Sequence, residues 1–234
     1  MSNQGWIWSF SRRKDGNMSL TYGDTKGALE NRKKFLEPLG INYRDLVCTK
    51  QTHSANIYCA TVADKGKGAL EYESAVGDTD ALITAVKGVP LAIFTADCLS
   101  VFLFDPKKPA IAVVHAGWRS SKEQILAKTI RRMQEEFKSS PTDLIINFGS
   151  SIRSCCCEVT SDFKDFFPGD VSEKEGRLYL DLAAANIKQA RSCGARMENI
   201  SDPKLCTFCA QNEFFSFRKE ADTAGRMISV AMLK

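Results

Sequence analysis

An α/β fold follows from three features of this sequence. Ala110-Ile111-Ala112-Val113-Val114 is apolar at consecutive positions, as a strand covered on both faces must be, and similar short runs stand at 91–95 and 100–104. Leu126, Ile130, Met133 and Phe137 then recur at intervals of four, three and four, which lays one apolar stripe along a helix. A second helix is expected over 181–193, with Gly194 as its stop. A length of 234 residues suffices for one large domain spanning 1–234.

The remaining elements fall in order along the chain. Trp6-Ile7-Trp8-Ser9-Phe10-Ser11 alternates as a strand, and a short helix is expected over 31–36. Leu46-Val47-Cys48 runs into Lys50-Gln51-Thr52-His53-Ser54, and 56–62 continues as a strand, so His53 belongs at a strand end or tight connection. Residues 64–74, with Gly66 and Gly68 among charges, read as a surface loop. The buried runs at 80–84, 91–95 and 100–104 are punctuated by Gly88-Val89-Pro90 and Asp105-Pro106. After His115 the chain turns through Gly117 into a helix whose capping box is Ser120-Ser121-Lys122-Glu123. A strand at 144–148 delivers the loop 149–154 and three consecutive cysteines, while Phe214-Phe215-Ser216-Phe217-Arg218 and 227–233 read as closing strands. No fixed-period repeat or low-complexity tract interrupts this pattern.

Composition narrows the function classes. A formal charge of +4 is spread over scattered Lys and Arg, and Lys33-Lys34 and Lys107-Lys108 lack the interleaved aromatics of a single-strand platform, so nucleic acid is not the expected partner. Met1-Ser2-Asn3-Gln4 opens no export signal, because Arg12-Arg13-Lys14 follow Trp6 and Trp8 rather than precede them. The most apolar window, 91–104, is broken by Asp97 and falls short of the roughly 20 residues of a membrane helix. A cytoplasmic protein with no membrane partner is expected. The nine cysteines are then read as reduced thiols, most of them small buried hydrophobes. Cys206-Thr207-Phe208-Cys209 has zinc-knuckle spacing but no second such pair and no nearby His.

Both histidines of the chain, His53 and His115, stand at the ends of strand-like runs, and Cys98 lies between them in chain order after another run. Two imidazoles and a thiolate suit Zn²⁺ and leave its fourth tetrahedral position open for chemistry. His115 is expected at the carboxyl end of a buried strand, just before a helix N-terminus, where an α/β sheet binds ligands and where free N–H groups favour an anion.

The ordered series Gln51-Thr52-His53, Asp80-Ala81-Leu82-Ile83-Thr84, Thr95-Ala96-Asp97-Cys98, His115-Ala116-Gly117-Trp118-Arg119, Cys155-Cys156-Cys157-Glu158-Val159, Cys206-Thr207 and Phe214-Phe215-Ser216-Phe217-Arg218 resembles the YfiH family, also catalogued as laccase-domain proteins and as the peptidoglycan editing factor family. The resemblance runs from about residue 46 to the C-terminus. It implies a single α/β domain with mixed β-sheets flanked by helices, and a zinc site whose ligands carry over to His53, Cys98 and His115. It also implies phosphorolysis of adenosine, inosine, guanosine and methylthioadenosine, together with adenosine deamination. Older family names claim a copper-dependent polyphenol oxidase. The chain departs from the usual pattern at Ser120, Ser150, Cys157 and Lys219, none of them a proposed ligand.

The residues arbitrate among these names. A multicopper laccase needs a cluster built from many more imidazoles than two, although a single His₂Cys site could take adventitious copper in vitro. The His-x-Glu and Pro-Cys-x-x-Cys signature of zinc nucleobase deaminases is missing, so deamination would need a differently built site. Phosphorolysis needs an oxyanion held beside an oxocarbenium-like sugar carbon. Arg119 ranks first as the phosphate clamp, with Arg218 and Arg153 as further candidates, and Asp97 or Glu158 is placed to handle a proton. Gln51 is assigned to the substrate site as an orienter of backbone. Asp97 could alternatively steer an imidazole, Asp78 and Asp80 cap turns, and Trp118 belongs to the core. Two rival functions remain: a metal-free hydrolase of amide or peptidoglycan-precursor bonds, with Cys98 as nucleophile and His115 as base, and a binding module whose zinc takes a fourth ligand from Cys155, Cys156 or Cys157. Small-molecule nucleoside and phosphate are the expected partners, and a monomer is compatible with the sequence.

Overall fold

Two β-sheets stacked face to face, each with helices over its other side, organise the protein, and the computed structural model describes residues 5–234. The expectation that residues 1–4 open no export signal lies outside the described residues. The larger sheet has six strands in the spatial order Ile200–Ser201 (β12), Ile145–Phe148 (β8), Leu99–Asp105 (β6), Ala110–Ala116 (β7), Ala81–Thr84 (β4) and Ile57–Cys59 (β3). The second has the order Trp6–Phe10 (β1), Met227–Leu233 (β13), Leu91–Thr95 (β5) and Val47–Cys48 (β2). Val171–Lys174 (β10), Arg177–Leu180 (β11) and Glu158–Val159 (β9) form a small third sheet. The helices are Thr25–Leu36 (α1), Trp118–Lys122 (α2), Ile125–Phe137 (α3), Phe163–Phe166 (α4), Leu182–Ser192 (α5) and Phe217–Glu220 (α6).

Side-chain alternation along each strand explains the unbroken apolar runs. Ile83, Val101, Leu103, Ala112 and Val114 point one way, onto Leu126, Ile130 and Met133 of α3 and Ala183 of α5. Their neighbours Leu82, Phe102, Phe104, Ile111 and Val113 point the other way, onto Leu91, Ile93, Ala231 and Leu233 of the second sheet. The outer face of that sheet, through Cys48, Ala92, Ile228 and Val230, is covered by Leu36 of α1 together with Met18, Ile41 and Leu46. The order is therefore helix, sheet, sheet, helix. The sheets are mixed as expected: β12 with β8, β3 with β4 and β2 with β5 run parallel, whereas β6 and β4 flank β7 antiparallel.

Several elements differ from the sequence reading, each for a local reason. α1 begins well before residue 31, because the Asp24 carboxylate accepts hydrogen bonds from the N–H groups of Lys26 and Gly27. The capping box at 120–123 does not form: α2 starts at Trp118 with Gly117 as its N-cap, and the buried Ser120 hydroxyl donates back to the His115 and Gly117 carbonyls, both at 3.1 Å. Gln124, in left-handed backbone with φ 63°, then separates α2 from α3. Residues 214–218 are not a strand. Phe214 and Phe215 are buried without a ladder partner, and Ser216 and Arg218 are drawn to Asp97 instead. Among the described residues no helix is long and apolar enough to cross a membrane.

Candidate metal centre and its cavity

Two connections and one strand end bring the sequence-predicted donors together. His53 lies in the turn between β2 and β3, Cys98 between β5 and β6, and His115 near the end of β7. One donor atom from each lies within 4.8 Å of the other two; Cys98 Sγ is 3.8 Å from His53 Nε2, and the two imidazole centroids are 4.9 Å apart. Nitrogen and sulfur ligands on one tetrahedral ion stand about 3.4–3.8 Å from each other, so this donor set fits a tetrahedral d-block cation. Among the described residues the group comprises these three alone, and no thiol of the 155–157 run joins it as a fourth ligand.

Asp80 orients the group. Its carboxylate lies 2.7 Å from His115 Nδ1, which fixes that nitrogen as the N–H and turns Nε2 toward the Cys98 sulfur. The same carboxylate accepts from the backbone N–H of Thr52 at 3.1 Å, of His53 at 3.1 Å and of Ser54 at 2.7 Å, and from the Ser54 hydroxyl at 2.9 Å. These bonds hold His53 in left-handed backbone, φ 60°, a costly region for a residue with a Cβ. The sequence reading gave Asp80 a turn-capping role and missed this one. Only the strand register reveals it: with β4 and β7 paired antiparallel, the acid just before the apolar run stands opposite His115, and the His115 N–H donates to the Asp80 carbonyl at 2.7 Å. Gly117 supplies the remaining condition, because a Cβ there would lie 2.7 Å from His53 Cδ2 and 3.2 Å from Cys98 Sγ.

The electrostatics follow from this packing. Loss of water around its sulfur would raise the Cys98 thiol, but the adjoining His115 charge and hydrogen bonds from both rings outweigh it and bring it down to about 6. His115 moves the opposite way, to about 9, since burial disfavours its charge less than the Cys98 sulfur and the Asp80 carboxylate favour it. Asp80 is itself held below the usual carboxylate range; burial opposes ionisation and the His115 contact overcomes it. A soft anion and oriented imidazoles thus occupy one small volume.

That volume opens into a cavity of about 1000 Å³, large enough for a nucleoside-sized ligand. His53, Cys98 and His115 line it, as do Gln51, Asp97, Arg119 and Arg218. The Gln51 amide clasps β5, donating to the Phe94 carbonyl and accepting from the Phe94 N–H, both at 2.8 Å. Asp97, with φ 83°, has its carboxylate engaged by three donors: Thr207 Oγ1 at 2.6 Å, Ser216 Oγ at 3.0 Å and the Arg218 N–H at 2.6 Å. Arg119 is exposed and stacks on Trp118, 4.4 Å from the ring centroid, with no carboxylate partner among the described residues. The Arg218 guanidinium donates to the Glu158 carbonyl at 3.0 Å. Arg153 is not brought to this group: its guanidinium forks onto Asp202 at 2.9 and 2.7 Å and lies outside the cavity lining.

Comparison with known proteins supplies a frame for this geometry. The family model described as multi-copper polyphenol oxidoreductase laccase matches residues 8–234. The chain is similar to the purine nucleoside phosphorylase YlmD of Geobacillus stearothermophilus, 30% identical over 223 residues, 91% of this chain and 81% of that one. The crystal structure of that YlmD superposes with a TM-score of 0.94 at 29% identity, covering 98% of this chain and 92% of the other. The crystal structure of the Bacillus licheniformis hypothetical protein YfiH matches equally well, with a TM-score of 0.94, 29% identity and coverage of 98% and 93%. A relative from an unknown prokaryotic organism, adenosine deaminase RL5, is 31% identical over 216 residues, 87% of this chain and 80% of its own.

Proposed function

Because the chain belongs to the laccase-domain family that includes YfiH and YlmD, we propose that it is a zinc enzyme of purine nucleosides, cleaving them by phosphorolysis and deaminating adenosine. The observation that carries this reading is the convergence of His53, Cys98 and His115 on the floor of a cavity whose rim carries Arg119 and Arg218. Relatives named for each of the two activities support it. His53 Nε2, Cys98 Sγ and His115 Nε2 would hold the ion, and Zn²⁺ so bound supplies Lewis acidity at an open coordination position.

The chain's own residues do the rest. Asp80 keeps His115 in one tautomer and His53 in its strained backbone, so the donors are set before any ligand arrives. Arg119 and Arg218 clamp phosphate with forked N–H donors at the mouth. In phosphorolysis a phosphate oxygen bonds to C1′ as the C1′–N9 bond breaks, and the purine leaves with the electron pair and takes up one proton. Held by three donors, Asp97 works here as a positioning residue that fixes the backbone of Arg218. Gln51 holds the His53 turn against β5.

Adenosine incubated with zinc-loaded protein, with and without phosphate, tests this reading by product mass. Free adenine only with phosphate establishes phosphorolysis, and inosine establishes deamination; neither product sinks both for this substrate. A second reading is favoured by the Cys98–His115–Asp80 order of contacts, which is also that of a thiol hydrolase. Iodoacetamide separates the two, since zinc must protect Cys98 in the first and leave it reactive in the second.

A further inference from the structure

Away from the cavity, Cys155, Cys156, Cys206 and Cys209 bring four sulfurs within 4.8 Å of one another. Two turns supply them. The first is closed by the N–H groups of Cys156 and Cys157 on the Arg153 carbonyl, both at 2.8 Å, and presents Cys155 and Cys156; the second is closed by the Ala210 N–H on the Cys206 carbonyl at 3.0 Å and presents Cys206 and Cys209. A parallel bridge between Ser151 and Cys206 joins the turns, with Ser151 N–H on the Leu205 carbonyl at 3.3 Å and Thr207 N–H on the Ser151 carbonyl at 3.1 Å. The forked Arg153–Asp202 pair braces the same junction.

All four thiols are free, and the sulfur separations of 3.3 Å for Cys156–Cys209 and 3.7 Å for Cys155–Cys209 lie near the edge of a sulfur tetrahedron around one ion, about 3.8 Å for a metal–sulfur bond of about 2.3 Å. The spacing of Cys206 and Cys209 lacked a second pair in the sequence, and the fold provides one from adjacent residues about fifty positions upstream. Four sulfur donors select a soft cation and leave no open coordination position, which is the composition of a structural site.

We propose that Cys155, Cys156, Cys206 and Cys209 form a second, structural zinc site, closed by four thiolates and outside the cavity. Loading exchanges thiol protons for the ion and ties the 153–157 turn to the 206–210 turn. The tie reaches the cavity through Thr207, which sits between two of the ligands and donates to Asp97 beside Cys98.

Full-length protein, purified reduced, loaded with zinc and gel-filtered, is compared as wild type, Cys98→Ser and Cys155→Ser/Cys209→Ser, with circular dichroism to check folding. Elemental mass spectrometry is expected to find about two zinc ions per chain in the wild type and roughly one in each variant. Cobalt(II) in the Cys98→Ser chain is expected to give the strong charge-transfer bands of a four-thiolate set. If the cavity holds no metal, the wild type carries roughly one ion and the double variant none, so the two readings fail separately. A folded double variant with the full zinc content of the wild type overturns the proposal, as do disulfides among these sulfurs in zinc-loaded protein or iron in place of zinc. Should the double variant not fold, absence of the four-thiolate bands from cobalt-loaded Cys98→Ser and wild-type protein overturns it.

Discussion

At the scale of the residue, small polar groups with many partners do the organising, and their pH behaviour exposes them. Asp64 is 4% exposed and accepts from Tyr58 Oη, the Thr61 N–H and hydroxyl, and Lys67 Nζ. Burial would raise its carboxyl; the Lys67 ammonium and the Thr61 and Tyr58 hydrogen bonds prevail and hold it well below the usual carboxylate range. A depressed folded-state value contributes stability that is full above the unfolded value of 3.8 and is lost as pH falls through the folded one. Asp64→Asn should therefore cost about 1–3 kcal/mol at pH 7, and its deficit against wild type should narrow below about pH 4. Urea denaturation across that range checks it; a deficit that stays constant would mean the charge is not the stabilising element. Among the site residues, the donors were legible because only two histidines exist and each stands in a distinctive motif. Asp80 was not, since nothing in Asp80-Ala81-Leu82 distinguishes a turn cap from an acid facing an imidazole until the strand register is known.

At the scale of the element, the junction of β7, Gly117 and α2 carries the site. Gly117 has an ordinary backbone conformation, φ −73°, so its constraint is space and not left-handed torsion. On the proposed zinc reading, Gly117→Ala should fold with a near-native melt yet lose most of the zinc held by His53, Cys98 and His115, because the new methyl displaces the His53 ring or the Cys98 sulfur. Zinc analysis in a Cys155→Ser/Cys209→Ser background isolates this effect, and unchanged content there would refute it. The sequence placed β7 and the stripe of α3 well, since burial on both faces and a 3.6-residue period are local signals. It misplaced 214–218 because buried aromatics read as a strand, whereas the segment is fixed by long-range bonds to Asp97 that no local pattern encodes.

At the scale of the whole molecule, the layers are joined by groups that span them. Arg32 of α1 is 1% exposed, donates to the carbonyls of Met18 at 2.8 Å, Gly68 at 3.1 Å and Ala69 at 2.8 Å, and stacks 4.7 Å from the Phe94 ring centroid on β5. Arg32→Met keeps most of the volume and strands three carbonyls, so it should cost at least about 2 kcal/mol in denaturant titrations, with Arg32→Lys recovering only part. A loss under about 0.5 kcal/mol would show that water replaces the guanidinium. The α/β class was legible from alternating runs and stripes, but the pairing of two sheets back to back was not. That arrangement depends on which strands share a sheet, and the chain visits the sheets out of order. The last strand, β13, inserts between β1 and β5, and all three donors to Asp97 belong to the final thirty residues. A nascent polypeptide on the ribosome therefore carries Trp6–Phe10 without its neighbour until residues 227–233 have emerged, and a product terminated before Thr207 can neither close that sheet nor hold Asp97 beside Cys98.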